Sequence, residues 1–180
     1  MKTCEQSFLE YEFILWNEVN CPKGIFFLDE MLKRQQWAFA SDFLRFYVLF
    51  NNGGIYLDTD MYFFKKIDEY LDNAYFLGKE NKLNLSAGVI GSVSNHQFNK
   101  ICMDFYYNID TSQKIDEFLE KRILIPHVLN ESYNIYSGNQ NSIQILDPEI
   151  FYPVSFKERA NVHKFIPKNE NTKAIHLWVA

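Results

Sequence analysis

Two aspartates stand two residues apart in residues 55–64, and their neighbours are mostly apolar or aromatic. Asp58 and Asp60 would be costly to bury in such surroundings unless a cation or another partner compensated their charge. Side chains alternate along a strand, so the spacing predicts that both carboxylates lie on the same side of an extended chain. Carboxylates suit Mg²⁺ or Mn²⁺, hard cations that keep coordination positions open for phosphate oxygens. The segment therefore predicts a site for Mn²⁺ or Mg²⁺.

A calcium-binding EF-hand loop is the main competing interpretation of this pair. Such a loop needs a glycine at its sixth position and a bidentate glutamate at its twelfth. Counted from Asp58, the sixth residue is Phe63 and the twelfth is Glu69. The glycine is absent, so the EF-hand interpretation fails, although an Asp-x-Asp pair alone remains a weak signal.

A second polar group precedes the aspartates, in an otherwise apolar helical pattern over residues 36–51. Asp42 and Arg45 are three residues apart, which places them on one face of that helix beside Ser41. One explanation is a local ion pair worth a few tenths of a kcal/mol, roughly. The other is that the acid and the arginine hold sugar hydroxyls and a phosphate, because arginine matches phosphate oxygens with paired hydrogen bonds.

Alternating helices and strands must position these groups. Helical periodicity predicts helices over residues 27–33, 36–51, 95–107 and 115–123, with Gly53-Gly54 ending the second of them. Short apolar runs predict strands over residues 11–16, 55–64, 74–77, 85–90, 143–146 and 174–178. This alternation predicts an α/β fold with a mixed central sheet.

The order of these residues resembles the DXD-containing sugar-transferase family. The resemblance lies in Ala40-Ser41-Asp42-x-x-Arg45, then Leu49, then Gly53-Gly54-Ile55-Tyr56-Leu57-Asp58-Thr59-Asp60. That family includes capsular polysaccharide synthesis proteins, yeast-type initiating mannosyltransferases and large clostridial glucosylating toxins. The match is dense over residues 36–62, and weaker similarity continues in residues 11–17, 151–153 and 174–178.

The resemblance implies a GT-A fold, a Rossmann-like domain over residues 1–180 that binds a nucleotide sugar through a divalent cation. It implies a hexosyltransferase that retains the anomeric configuration and moves a sugar from a UDP- or GDP-sugar to a glycan or polysaccharide acceptor. It assigns the metal to Asp58, Asp60 and His176, the donor diphosphate to Gly54, Asp58 and Asp60, and the donor sugar to Ser41, Asp42, Arg45 and Tyr56. A lone histidine such as His176 is more often structural, so that alternative stays open.

The sequence also departs from the family pattern at both ends. Members usually begin with a further strand of the type IPKIIHYIWFG, and usually continue beyond the equivalent of Val179-Ala180. The domain is therefore expected to lack the usual first strand and to be short at both ends. An inactive GT-A remnant that binds a nucleotide sugar, or that only contacts other proteins, is the alternative function. Glu80 and Asn84 follow the aspartates where GT-A enzymes contact sugars, with a turn or surface role as the alternative.

Composition argues against several other classes of function and location. With 23 acidic and 18 basic residues the net charge is −5, and no concentrated basic face predicts a nucleic-acid partner. The 31 aromatic residues (17 Phe, 11 Tyr and 3 Trp) are expected mainly in the core. The 3 cysteines form no CxxC pair, and no signal peptide or membrane-spanning run is visible, which predicts a cytoplasmic protein. Association with the inner membrane face stays open.

Overall fold

The computed structural model describes residues 10–139 and 142–179, and the chain within them forms two compact units. Among the described residues, the first unit comprises 10–13, 55–92, 139 and 142–179, and the second comprises Ile14–Gly54 and Val93–Gly138. Within the described ranges, no helix combines the length and the hydropathy needed to cross a bilayer. A single GT-A domain over residues 1–180 stays a prediction.

Six strands and six α-helices make up the described structure. The strands are β1 (Gly54–Leu57), β2 (Met61–Phe63), β3 (Tyr75–Lys79), β4 (Leu85–Ser92), β5 (Ile143–Leu146) and β6 (Ala174–His176). The helices are α1 (Phe26–Lys33), α2 (Trp37–Asn52), α3 (Gln97–Tyr107), α4 (Ser112–Lys121), α5 (Ile125–Ile135) and α6 (Pro148–Phe151). Two 3₁₀ helices span Asp68–Tyr70 and Phe156–Lys164.

The strands form two separate sheets. Four of them lie in the order β1-β4-β3-β5, where β3 runs antiparallel to β4 and parallel to β5. The other sheet is the antiparallel pair of β2 with β6. A sheet with both parallel and antiparallel neighbours confirms the predicted mixed α/β class, which is consistent with a GT-A-like domain.

The core of the first unit lies around β4, which is buried along its whole length. Its apolar partners come from both sheets and from α6, so burial of this one surface holds the strands together. The buried cluster contains Met61, Phe63, Ile67, Tyr70, Phe76, Val89, Leu146, Phe151, Tyr152 and Ala174.

Aromatic rings hold the helices of the second unit together. The ring of Phe27 on α1 lies 4.8 Å from that of Tyr106 on α3 and 5.3 Å from that of Phe118 on α4. The second of these contacts is edge-to-face, and such a contact adds to the stabilisation from burial of the rings themselves. The aromatic residues expected in the core are therefore found there, as in the cluster of the first unit.

Three segments differ from the predicted elements. Residues 11–16 form no strand, because the apolar Phe13, Ile14 and Leu15 are exposed and pair with no strand in the described part of the chain. The predicted strand over residues 55–64 is two strands in different sheets, joined by a turn. Helix α5 was not predicted, although a proline in its first turn is compatible with a helix start.

Candidate functional site

The two aspartates occupy the turn between β1 and β2. The backbone N–H of Asp58 donates to the carbonyl of Gly88 on β4 at 2.8 Å, which extends the pairing of β1 by one residue. The N–H of Met61 then donates to the carbonyl of Asp58 at 3.1 Å and closes a tight turn. Asp58 and Asp60 are therefore held by hydrogen bonds of the backbone on both sides of the turn, and not by one continuous strand.

Strand pairing brings His176 to this turn. Met61, which directly follows Asp60, is the register partner of His176 in the β2–β6 pair. The Nε2 atom of His176 lies 3.2 Å from Oδ1 of Asp60 and 3.7 Å from Oδ2 of Asp58. One ligand atom from each of the three residues lies within 4.8 Å of the others, and we call this set the DXD–histidine cluster.

Hydrogen bonds orient both carboxylates of the cluster. The hydroxyl of Tyr56 donates to Oδ1 of Asp58 at 2.9 Å. The backbone N–H of Val179 donates to Oδ2 of Asp60 at 3.1 Å, and that of Leu177 donates to the Asp60 carbonyl at 2.9 Å. Backbone N–H groups of the segment that follows β6 therefore hold Asp60 in place, although this segment lies more than 100 residues later in the sequence.

The ring of His176 is fixed by the residue two positions later. The backbone N–H of Trp178 donates to Nδ1 of His176 at 3.1 Å, and the two rings lie 4.0 Å apart. Trp178 reaches this position with φ of 56°, in the left-handed region that side chains other than glycine rarely adopt. With Nδ1 accepting, the proton of the neutral ring stands on Nε2, which faces Asp60.

The donor atoms of the cluster fit Mn²⁺ or Mg²⁺. Two carboxylates supply the hard oxygen ligands that both ions prefer, and an imidazole nitrogen suits Mn²⁺ as well. A cation bound through Nε2 would need the ring proton on Nδ1, so the hydrogen bond from Trp178 would give way. The assignment of Asp58, Asp60 and His176 as metal ligands stays a prediction.

The predicted sugar-binding pair lies on α2 in the second unit and is largely buried. Nη2 of Arg45 donates to Oδ1 of Asp42 at 2.7 Å, and the two side chains are 4% and 11% exposed. Nε of Arg45 also donates to the Ser41 carbonyl at 3.2 Å, and Nη2 to its hydroxyl at 3.3 Å. Burial holds the pKa of the neighbouring Tyr106 well above its usual value, and the charge of Asp42 adds to this effect.

The structure gives Gly54 and Tyr56 local roles. Gly54 has φ of 97°, a conformation suited to glycine, and a Cβ there would contact nothing within 4 Å. Tyr56 is half-buried and donates to Asp58. Their roles toward the diphosphate and the donor sugar stay predictions.

Two further residues contact the DXD–histidine cluster, and Glu80 interacts electrostatically with its His176. Burial raises the pKa of Glu80, while its interaction with His176 acts in the opposite direction. Gly88 and Tyr152 were not predicted as site residues, although the Phe151-Tyr152-Pro153 signature drew attention to that segment. Only the sheet register and the return of the chain through α6 reveal that both contact the cluster.

Comparison with known proteins finds a family match over the first part of the chain. Residues 1–77 match the family described as "Glycosyltransferase sugar-binding region containing DXD motif". The match includes Ser41 to Asp60 and ends before His176. The predicted resemblance to DXD-motif sugar transferases is thereby confirmed over this part of the chain. The further likeness to clostridial toxins stays a prediction.

Curated relatives are named as glycosyltransferases. A human "Alpha-1,4-N-acetylglucosaminyltransferase" is 26% identical over 146 residues, which are 77% of this chain and 42% of the human protein. The "Mannosyl phosphorylinositol ceramide synthase SUR1" of Saccharomyces cerevisiae is 32% identical over 94 residues, 49% of this chain and 25% of the yeast protein. The chain thus spans less than half the length of either relative. No solved structure gives a significant match.

Proposed function

We propose that this chain is the catalytic domain of a metal-dependent, retaining hexosyltransferase that uses a nucleotide-sugar donor. The observation that carries the proposal is the convergence of Asp58, Asp60 and His176 within 4.8 Å, although His176 lies far along the sequence. A packed fold brings two carboxylates and an imidazole together at some cost in desolvation, which a bound cation would offset. The proposal is supported by the match to the DXD region and by the names of the relatives.

The proposed reaction transfers the sugar and releases a nucleoside diphosphate. A divalent cation held by Asp58, Asp60 and His176 would stabilise the negative charge that develops on the departing diphosphate. Tyr56 keeps one oxygen of Asp58 in place, and the backbone N–H of Val179 does the same for Asp60. These bonds fix the carboxylates before substrate arrives, so the two carboxylates need little reorganisation during the reaction.

Ser41, Asp42 and Arg45 are proposed to bind the donor sugar. The hydrogen bonds of Arg45 to Ser41 and Asp42 fix the direction of all three polar groups on one face of α2. Asp42 keeps a small exposed fraction, through which its carboxylate can accept a hydroxyl hydrogen bond. A fixed acceptor of this kind discriminates sugars by the position of their hydroxyl groups.

The donor is proposed to be a UDP- or GDP-hexose and the acceptor a glycan or polysaccharide. The names of the relatives mention an N-acetylglucosaminyl group and a mannosyl group, and both groups derive from hexoses. A panel of UDP- and GDP-sugars, assayed for release of the diphosphate with Mn²⁺, with Mg²⁺ and with EDTA, identifies the donor and the metal requirement.

Variants of the aspartates test the proposed site directly. With the best donor of the panel, Asp58→Asn and Asp60→Asn should each reduce turnover at least ~100-fold, since charge stabilisation of the leaving group is lost. Asp72→Asn is the matched control, because Asp72 is exposed in the same unit and lies outside the cluster. Turnover that is equal in the wild type and both site variants would contradict the proposal.

The inactive-remnant alternative predicts a different pair of results. Calorimetry would then show binding of a nucleotide sugar in the presence of Mn²⁺ without any release of diphosphate. Absence of binding to every nucleotide would instead favour a role in contacts with other proteins.

A further inference from the structure

Gly88 on β4 lies where three groups of the candidate site converge. A Cβ added to Gly88 would lie 2.9 Å from the hydroxyl of Tyr152, 3.1 Å from Cδ2 of His176 and 3.2 Å from Oδ2 of Asp58. All three distances are shorter than ordinary van der Waals contacts of carbon. The absence of a side chain at this position is therefore what allows the three groups to approach one another.

The backbone of Gly88 also holds the turn that carries the aspartates. Its carbonyl accepts the N–H of Asp58 at 2.8 Å, so main chain and side chain of Asp58 both pack on this residue. Because strand β4 is buried at every position, the strand cannot shift outward to accept an added methyl group.

Tyr152 closes the other side of the same contact. It is 2% exposed, its hydroxyl accepts the N–H of Val89 at 3.1 Å, and its ring lies 6.0 Å from that of His176. The tyrosine also packs on β3, where a Cβ at Gly78 would lie 2.7 Å from its Cε2 atom. Tyr152 is thus confined between two glycine-bearing strands and the His176 ring.

We propose that Gly88 is a positioning residue of the DXD–histidine cluster, which sets the separation of the Asp58 carboxylate and the His176 ring. The inference rests on the proposed function, because it assigns a role at the same metal site. Residues that orient metal ligands typically change metal affinity about 10–100-fold when they are altered. Gly88→Ala should therefore weaken Mn²⁺ binding while the chain still folds.

The experiment compares Gly88→Ala with Gly78→Ala in the full chain. Both variants add one methyl group against Tyr152, but the three nearest neighbours of a Cβ at Gly78 are ring carbons of Tyr152 and Phe151. Mn²⁺ affinity is measured by electron paramagnetic resonance, and the ring signals of His176 are recorded by NMR without metal. Gly88→Ala should lower Mn²⁺ affinity about tenfold or more and shift the His176 signals, and Gly78→Ala should change the affinity by less than about threefold.

A double variant separates loss of fold from loss of the site. In Gly88→Ala/Tyr152→Phe the hydroxyl nearest to the new methyl group is absent, while the contacts with His176 and Asp58 remain. Its midpoint in urea should recover toward that of Tyr152→Phe alone, and its Mn²⁺ affinity should stay low. Recovery of affinity together with stability would overturn the role of Gly88 toward Asp58 and His176.

Two further outcomes are decisive. Equal losses of Mn²⁺ affinity in Gly88→Ala and Gly78→Ala would overturn the inference, since general crowding of Tyr152 would then be the cause. If the wild-type chain binds no Mn²⁺, the metal dependence in the proposed function is contradicted. In that case unshifted His176 signals in Gly88→Ala would overturn the inference separately, and shifted ones would support it.

Discussion

The guanidinium of Arg45 is almost completely removed from water and has Asp42 as its charged partner on α2. The sequence interpretation of a weak local ion pair assumed solvent around both groups, and burial changes that estimate. Removing one member of a buried pair leaves an uncompensated charge, which typically costs about 3–5 kcal/mol, whereas replacing both with apolar groups can be nearly neutral. The pair therefore matters for stability whether or not it also binds sugar.

We expect Arg45→Met to lower the free energy of unfolding by about 3 kcal/mol, because Asp42 would remain charged and buried. The double variant Asp42→Leu/Arg45→Met should lose less than the single variant. Urea denaturation of the single variant, the double variant and the control Lys33→Met measures the free energy of unfolding of each. The Lys33 side chain is 76% exposed in its pair with Glu30, so its replacement should change stability by less than about 0.5 kcal/mol. Equal losses in the single and double variants would contradict the prediction.

Tyr56 provides a second residue-level prediction. Tyr56→Phe removes the hydrogen bond to Oδ1 of Asp58 and keeps the ring. The free energy by which this bond holds the Asp58 carboxylate in place, about 1 kcal/mol, is then lost. The affinity for Mn²⁺ should fall about fivefold, while thermal stability changes little. Titration calorimetry with Tyr62→Phe as the control measures this, because Tyr62 is exposed on β2. Unchanged affinity in Tyr56→Phe would show that its hydroxyl does not position Asp58.

Residue types and spacing selected Asp58 and Asp60, the family resemblance added His176, and the structure brings these three together. The same reasoning could not reach Gly88 or Tyr152. Their contacts depend on the register of β4 against the DXD turn and on the path of α6, which no local pattern encodes. A glycine in a strand indicates close approach of some neighbour, without saying which.

At the level of elements, helix α2 was predictable because it has a long and consistent apolar pattern, and most of strand β4 was predictable from the short apolar run over residues 85–90. The turn at Asp58–Asp60 was not, since the alternation of side chains continues through it into β2. What interrupts the strand is the change of partner, from β4 on one side to β6 on the other. Local periodicity carries no information about such partners.

Helix α3 begins at a titratable cap, which makes its stability depend on pH. Nδ1 of His96 accepts the N–H of Phe98 at 3.2 Å, and burial lowers the pKa of His96 below its ordinary value. The folded state therefore binds fewer protons than the unfolded state in this range, so stability rises with pH. The contribution of neutral His96 to the free energy of unfolding is complete above about pH 6.5 and is lost as the pH falls through the lowered pKa of His96.

The comparison variant for this prediction is His96→Asn, which keeps a capping acceptor and does not titrate. Urea unfolding of both proteins between pH 5 and 8 should show the wild type losing stability relative to the variant on the acidic side. Parallel stability curves for the two proteins would contradict a role of His96 in this dependence.

On the scale of the whole molecule, neither unit is a continuous segment. The described chain passes from one unit to the other four times, at residues 13–14, 54–55, 92–93 and 138–139. A linker search over composition finds no boundary in such an arrangement, because each crossing is short and several lie next to regular elements. The DXD turn, within the first unit, follows directly on the crossing at Gly54–Ile55.

Metal binding should stabilise the chain through this first unit. A cation at about 100 times its dissociation constant contributes about 2.7 kcal/mol, which corresponds to a rise in Tm of roughly 5–10 °C for a chain of this size. Thermal melts with MnCl₂ and with added EDTA measure the rise and its reversal. Asp60→Asn should show no rise, and an equal rise in that variant would place the bound metal elsewhere.

The pairing of β2 with β6 also has a consequence for the order in which the molecule assembles. It joins Met61 to His176, so nearly two thirds of the polypeptide must be synthesised between the two partners. Contacts of such sequence separation form late, because the entropy of a long loop is lost before the pairing is gained. During translation the aspartates leave the ribosome long before their histidine, and a nascent chain has no complete Asp–Asp–His cluster with which to capture a cation.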